Sequence, residues 1–433
     1  MKNIYRFSDR AARMALLLFA GFALACSDDK TDDEPVAGGG DNPQVAVTAI
    51  VLSEPSLRLD IGTQQTLTAT LTPDDATDKS VVWSSDRPEV AAVDEQGTVT
   101  AAGVGSATIT ATAKGGKELS ATCSVTVDPV VYVAGSYNGN TAVLWTNGVQ
   151  SDLTDGGIAA IANDVYVSEK GDVYVVGWDT PDDTGIDRAV LWKNGEMSYL
   201  SDGKKNTQAK SVFVHSGDVY VAGNEIGTAN KVFLWKNGEP TVLPSQANYA
   251  EVGSMAVAEN GDIYVAGFDN GPTVWKNGVK TGENLGDEAT QLLGICLHGS
   301  DVYYAGYRTD AESMYRAMVW KGTQATELTD GSDDCLANAV WVSDAGDVYV
   351  AGNQSSSPKQ ALLWKNGTPV TLPAGSYKAF DVSGCGENLY VVGQISTGSF
   401  PFGAQKAVLW KNGEQQPLCE EKSDARAVFV RVK

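Results

Sequence analysis

A strand-like segment of the form Val-Tyr-Val-Ala-Gly recurs from residue 130 to the C-terminus, ending at Gly135, Gly177, Gly223, Gly267, Gly306, Gly352 and Gly393. The spacings are 42, 46, 44, 39, 46 and 41 residues. A second motif, close to Leu-Trp-Lys-Asn-Gly, places tryptophan at Trp145, Trp192, Trp235, Trp275, Trp320, Trp364 and Trp410, again seven copies. Asn-Gly between apolar strands favours a two-residue type I′ hairpin, because both central residues need positive φ. Asn147-Gly148, Asn194-Gly195, Asn237-Gly238, Asn277-Gly278, Asn366-Gly367 and Asn412-Gly413 fit, and the copy at Trp320 has Lys321-Gly322 instead. An apolar triplet precedes all but the first of these strands, at Val165 to Val167, Val212 to Val214, Met255 to Val257, Ile295 to Leu297, Val340 to Val342 and Phe380 to Val382, and a seventh, Val428 to Val430, follows the last. A unit of this length buries its apolar faces only by stacking on its neighbours.

Each unit reads as strand A, a Gly-Asp turn, strand B, a loop, strand C, the Asn-Gly turn and a short strand D. The order of the copies predicts how the array ends. It opens with strand B at Val131 and closes with an unpartnered strand A over Ala427 to Val432. If that strand joins the first unit, the ring has seven complete blades and no long exposed edge. The expected fold of 130–433 is therefore a seven-bladed β-propeller closed by the C-terminal strand. The period resembles that of WD-repeat propellers, but the Trp-Asp dipeptide is absent, as are kelch double glycines and the sialidase Asp-box. The seven tryptophans are expected to fill the space between blades, where large rings bury much area. Asp172, Asp218, Asp262 and Asp347 follow glycine at the A–B turn, where Asp bonds nearby backbone; calcium at these turns is the lesser reading.

Of the 433 residues, 54 are acids and 32 are bases, a net charge of −22. Such a surface repels a phosphate backbone, so no nucleic acid is expected as a partner. Two histidines, His215 and His298, cannot furnish His-rich zinc sites or most hydrolytic triads. At the N-terminus, Lys2, Arg6, Arg10 and Arg13 precede the apolar run Met14 to Leu24, the layout of a secretory signal peptide over 1–25. Ala23-Leu24-Ala25-Cys26 resembles a bacterial lipobox, with Ala where Leu is commoner, and implies lipidation at Cys26. Ser27-Asp28-Asp29 is similar to the signal that sends some Gram-negative lipoproteins to the outer face of the outer membrane. Residues 26–44, rich in Asp, Glu and Gly, read as a flexible acidic tether. Processing after Ala25 leaves 28 bases against 53 acids, a net charge of −25.

Between residues 45 and 128 the pattern changes to short alternating strands separated by Pro73-Asp74-Asp75 and Gln96-Gly97, about seven in number, as in a β-sandwich. Val82-Trp83-Ser84-Ser85-Asp86, Val90-Ala91-Ala92-Val93-Asp94, Gly97-Thr98-Val99-Thr100-Ala101 and Gly105-Ser106-Ala107-Thr108-Ile109-Thr110-Ala111 resemble the bacterial immunoglobulin-like group 2 domain. That resemblance implies a stalk or an adhesive module. Cys123, alone in this segment, cannot make an intradomain bridge. Cys296, Cys335, Cys385 and Cys419 lie in different units without metal-ligand spacing; one disulfide among them is conceivable, but its connectivity cannot be read from sequence.

Specific chemistry is expected where the repeat fails to repeat. The B–C and D–A loops of a propeller open on one face around its channel, so the residues just after strand B are candidate ligand contacts: Ser136, Trp178, Asn224, Phe268, Tyr307, Asn353 and Gln394. Asn163, Lys210, Asn338, Lys378 and Arg426 stand at the start of strand A on the same face. Aromatic faces, amides and three cations suit an acidic glycan. No nucleophile elbow, zinc-protease motif or phosphate loop occurs, and no catalytic residue is assigned. Asp179, Asp182, Asp183 and Asp187 crowd one B–C loop, where a solvated loop outweighs calcium or a carboxylate pair. Asp381 stands out, because the other copies carry Tyr, Phe, Ala, Cys or Trp at its place in the apolar triplet; such an acid needs a partner or a raised pKa. The expected function is non-catalytic recognition of a glycan or surface protein by a lipid-anchored outer-membrane protein. Polysaccharide cleavage by loop carboxylates, with Asp182 or Asp381, and a protein–protein scaffold are the alternatives.

Overall fold

The computed structural model describes residues 44–115, 119–181, 184–246, 248–397 and 404–432. The signal sequence, Cys26, nearly all of the proposed tether, and Asp182 and Asp183 lie outside the described residues. Every regular element among those described is a strand.

The Ig-like segment holds nine strands in a four-stranded, a three-stranded and a two-stranded sheet. In the largest, Ser56–Asp60 pairs in parallel with Ser120–Asp128, which continues antiparallel to Gly105–Ala113 and then Val81–Ser85. Alternation in Gly105–Ala113 turns Ala107, Ile109 and Ala111 inward, where they join Leu67, Val90, Val99 and Val125, while Ala113 packs with Val47, Leu71 and Ala76. Gly97 has a φ of 82°, and a Cβ there would meet the Leu67 carbonyl and, 2.8 Å away, the Trp83 ring. This contact explains why glycine and tryptophan occur together in the motif. Cys123 is a buried free thiol.

Residues 130–431 form seven four-stranded antiparallel sheets. Blade 1 takes its strands B, C and D from Val130–Tyr137, Thr141–Thr146 and Val149–Asp152, and its strand A from Ser423–Arg431 at the other end of the chain. Blades 2 to 7 follow in order, with strands A at Ala159–Val167, Asn206–His215, Ala250–Val257, Thr290–His298, Cys335–Val342 and Ser376–Cys385. Each strand A contacts those of the two adjacent blades, and strand A of blade 7 reaches that of blade 1, so the ring is closed. The closing register runs from Val130 opposite Arg431 to Tyr137 opposite Ser423.

The seven tryptophans are 0–2% exposed, between blades as expected. Trp235 and Trp275 donate their indole N–H to the carbonyls of Leu200 and Pro244, at 2.9 and 2.8 Å. The repeated Lys-Asn-Gly is a clasp at the end of the blade where the A–B and C–D turns meet. Asn194, Asn237, Asn277 and Asn366 sit at φ of 50–53°. Each accepts from a backbone N–H at the start of strand B and donates to Asp172, Asp218, Asp262 or Asp347 at 2.8–2.9 Å. The preceding lysine bridges the same carboxylate and lies over the strand-B tyrosine, as Lys276 does with Asp262 at 2.9 Å and Tyr264 at 4.9 Å. These acids are committed to Asn and Lys, and such bonding pulls the Asp262 carboxyl down to about 2. In blade 5 the hairpin pairs Lys321 with Gln324, so its turn residues are Gly322 and Thr323 rather than Lys321-Gly322.

Candidate functional site

Every strand A carries a β-bulge near its first half, and the extra residue disrupts the pairing with strand B. The bulged residues are Arg426, Asn163, Lys210, Gly253, Leu293, Asn338 and Phe380 in blades 1 to 7. A bulge re-aims a side chain that the pleat would otherwise direct into the sheet. Here it places seven residues around the channel, where they line a cavity of about 150 Å³ together with Asp164, Ser254, Gly294 and Asp381. The repeated glycine within each strand B is the other half of the device. A Cβ on any of them would run into a strand-A carbonyl just before the bulge, for example Ile161 opposite Gly177 or Lys378 opposite Gly393.

This register corrects two sequence readings in blade 7. Phe380 is the bulge residue there, and Lys378 pairs with Gln394 two residues earlier, so Lys378 is not equivalent to Lys210 or Arg426. The apolar triplet of that blade is displaced as well, to Val382-Ser383-Gly384. Its last position is glycine because the Trp341 ring of blade 6 would lie 2.7 Å from a Cβ there. Asp381 accordingly matches Asp164, Ser211, Ser254, Gly294, Ala339 and Ala427, not the aromatic middle of the triplet. Asp164 is an equivalent acid that the sequence reading missed. The signal was the tetrad that frames each bulge: Ala162-Asn163-Asp164-Val165, Ala209-Lys210-Ser211-Val212, Ala379-Phe380-Asp381-Val382 and their four counterparts.

Asp164 and Asp381 latch one blade to the next. Asp164 accepts from its neighbour Val165 N–H at 2.8 Å, and from Val212 N–H and Ser211 Oγ of blade 3 at 2.9 Å. Asp381 accepts from Val382 and, across to blade 1, Val428 N–H at 2.8 Å. Burial raises both carboxyls, Asp164 to about 6 and Asp381 to about 7, and the charge of Asp164 adds to the shift of Asp381. Asn163 and Asn338 make comparable links, donating to the Ala209 and Ala379 carbonyls at 2.8 and 2.7 Å.

The three cations differ in their surroundings. Arg426 donates to Asp424 at 3.0 Å and to Asn163 at 3.4 Å, and lies 6.0 Å from the Phe380 ring centre. Lys378 stands over Tyr377 and Phe380, and burial lowers its pKa, followed by the charges of Lys359 and Arg426. Lys210 has no hydrogen bond or ion pair among the described residues, and burial is the main cause of its lowered pKa; Glu251 opposes that shift and Arg426 adds to it.

The seven residues expected just after strand B lie within it, because each strand B runs on past its glycine, and they divide into two sets. Asn224 and Asn353 are 2% and 4% exposed. Asn224 accepts from Val252 N–H at 2.9 Å, while Asn353 accepts from Asn338 and donates to Ser355, so both belong to the framework rather than to an open contact ring. Ser136, also buried, donates to Asp424 at 2.7 Å. Gln394 donates to the Ser423 carbonyl at 3.3 Å. Trp178, Phe268 and Tyr307 are half-buried at the rim, each paired with a strand-A residue: Ile161, Glu251 and Gln291. In the acidic B–C loop, Asp187 is bonded by Thr180 and Gln208, and Asp179 by Tyr199. Among the described residues no three His, Cys, Asp or Glu side chains are grouped to hold a metal. The five described cysteines are free, with burial pushing Cys296 and Cys335 up to about 11.

These observations define an all-β protein with an Ig-like domain followed by a β-propeller. Residues 46–125 match the family model of the bacterial Ig-like domain (group 2). The curated relatives match over short stretches. An uncharacterised protein of Clostridium acetobutylicum is 45% identical over 86 residues, 20% of this chain and 9% of the relative. A lacto-N-biosidase of Bifidobacterium bifidum is 41% identical over 100 residues, 21% of this chain and 9% of its own. An α-L-arabinofuranosidase of Bifidobacterium longum is 53% identical over 64 residues, 15% and 6%. The chain thus spans less than a fifth of any of these relatives. Among solved structures, the β-propeller domain of the Trilobed protease from Pyrococcus furiosus aligns with a TM-score of 0.40 and 11% identity, covering 73% of this chain and 95% of that one. A puromycin-hydrolyzing peptidase of Mycobacterium tuberculosis gives 0.43 and 11%, covering 72% and 51%.

Proposed function

We propose that the propeller is the recognition head of a surface lipoprotein anchored through Cys26, and that its channel mouth binds the anionic group of a glycan or surface component without transforming it. The supporting observation is Lys210, an enclosed cation with no hydrogen bond or ion pair among the described residues, lining the same cavity as Arg426 in a chain of strongly negative net charge. Enclosing an unpaired charge is costly, and a ligand carboxylate or sulfate offsets that cost on binding. Asp164 and Asp381 hold backbone N–H groups of the next blade, which favours a structural role over catalysis. Screening the full chain on a glycan array is expected to give binding to carboxylated or sulfated members that weakens with salt. Lys210→Met should lower that affinity by about tenfold, the scale of one charge-assisted contact. Binding confined to neutral glycans, or unchanged in Lys210→Met, contradicts the reading. Labelling of wild type but not Cys26→Ala by radioactive palmitate in cells tests the anchor.

A second reading, polysaccharide cleavage, draws on the carboxyl of Asp381, raised to about 7 as a general acid's would be. Product release from acidic polysaccharides that disappears in Asp381→Asn, with the variant still folded, would establish it.

A further inference from the structure

Three aromatic side chains among the described residues are at least 36% exposed: Tyr199, Tyr249 and Tyr315. Two of them lie in neighbouring blades on the face that carries the channel mouth. Tyr249 precedes strand A of blade 4 and Tyr315 opens strand C (Tyr315–Lys321) of blade 5. Tyr249 lies 5.8 Å from Phe268 and Tyr315 4.8 Å from Tyr307, ring centre to ring centre.

Polar bonds fix two of the four rings, and the other two pack against them. Tyr249 donates its hydroxyl to Glu251 at 2.6 Å, and Tyr307 donates to Gln291 at 2.6 Å. Gln291 in turn donates to Glu251 at 3.5 Å, which joins blades 4 and 5 into one patch. Its bond to Glu251 pushes the Tyr249 hydroxyl up to about 12, so it stays a phenol. Glu251 stands two residues before Gly253, the bulge residue of blade 4 that lines the channel cavity, so the patch borders the channel mouth. Rings held in place before binding lose little freedom on meeting a ligand. Flat aromatic faces bordered by a carboxylate and an amide match a sugar, with its apolar C–H face and its rim of hydroxyls. The channel cavity, about 150 Å³, accepts an ionised substituent rather than a second stacked ring.

We infer that the ligand is an acidic oligosaccharide of at least two residues, with one sugar ring stacked on Tyr249 and Tyr315 and the carboxylate of an adjoining residue directed to Lys210 at the channel mouth. This rests on the anion-binding reading above and adds a polarity to it. The ring sits over blades 4 and 5, and the charge toward the channel.

The test uses uronic-acid oligosaccharides of one to four residues from pectin, alginate and glycosaminoglycans, titrated calorimetrically into the full chain. The best-bound series should gain about tenfold or more from monosaccharide to disaccharide, the scale of one good stacking contact. In Tyr249→Ala and Tyr315→Ala, each verified as folded by its melting curve, that gain should largely vanish while the monosaccharide affinity stays put. Lys210→Met should weaken every length alike. Binding that is sensitive to Lys210→Met but keeps its full length gain in both tyrosine variants overturns the platform and leaves the anion site standing. Failure of every uronide to bind overturns both.

Discussion

The two latch carboxylates give single residues a measurable influence on the whole ring. Asp164 and Asp381 have folded-state pKa values of about 6 and about 7, above an ordinary carboxyl. The native state therefore holds these protons more tightly than the unfolded chain does. The stabilisation from protonation is complete below the ordinary carboxyl range and is lost as pH rises through 6 to 7. Melting temperature is expected to fall between pH 5 and pH 8. Asp381→Asn should flatten that fall, by an amount on the order of 2 kcal/mol across the window at most. The clasp acids act oppositely: Asp262, drawn down to about 2, contributes stability above the ordinary carboxyl pKa that is lost only in strong acid. A thermal-shift series in which stability rises steadily from pH 5 to pH 8 would show that other titrating groups outweigh the buried pair.

At the scale of the element, the blade depends on its bulge and its two turns. Gly223→Ala would drive a methyl into the Gln208 carbonyl where strand B meets the bulge, and should cost several kcal/mol, in the exceptional range for one substitution. Asn277→Ala removes the bonds to Ile263 and Asp262 and leaves alanine at a φ of 52°, for a cost of about 1–3 kcal/mol. Urea denaturation of both variants measures the difference, and equal small losses would mean that the bulge matters no more than the turn.

Blade architecture was legible in the sequence because glycine, tryptophan and Asn-Gly repeat for steric reasons that admit few alternatives. The channel was less legible. A bulge inserts one residue and shifts the two-residue alternation, so the side chains around the channel obey no simple period. Gly384, in a place where other blades carry an apolar residue, then moved the blade 7 triplet by two and made Asp381 look unique. The rim was read as a ring of seven equals, although Asn224 and Asn353 are drawn inward by bonds to the next blade or the neighbouring strand. Tyr249 and Tyr315 escaped notice because they lie outside the repeated motifs.

On the scale of the whole molecule, closure depends on strand A of blade 1. A chain ending at Lys422 would leave Val130–Tyr137 unpaired along one edge and the cluster of Val131, Val133, Val143 and Trp145 without Val428 and Val430. It is expected to elute as aggregate on size exclusion and to lose its cooperative melt; a monomeric product with an unchanged melt would show that six blades and an open seventh suffice.

The Ig-like segment meets the propeller at the opposite end from the channel mouth. Asn147, in the C–D turn of blade 1, donates to Asp60 at 3.2 Å, and Arg58 is bonded to Asp128, just before the chain passes into Val130. A ligand held at the mouth and a pull exerted through the N-terminal segment would act on the two ends of the propeller. Tension would arrive at Val130–Tyr137, which is hydrogen-bonded on both sides, to Thr141–Thr146 and to the strand from the far end of the chain. Under the proposed anchoring, such load would fall first on the seam that closes the ring, where two ladders act in parallel.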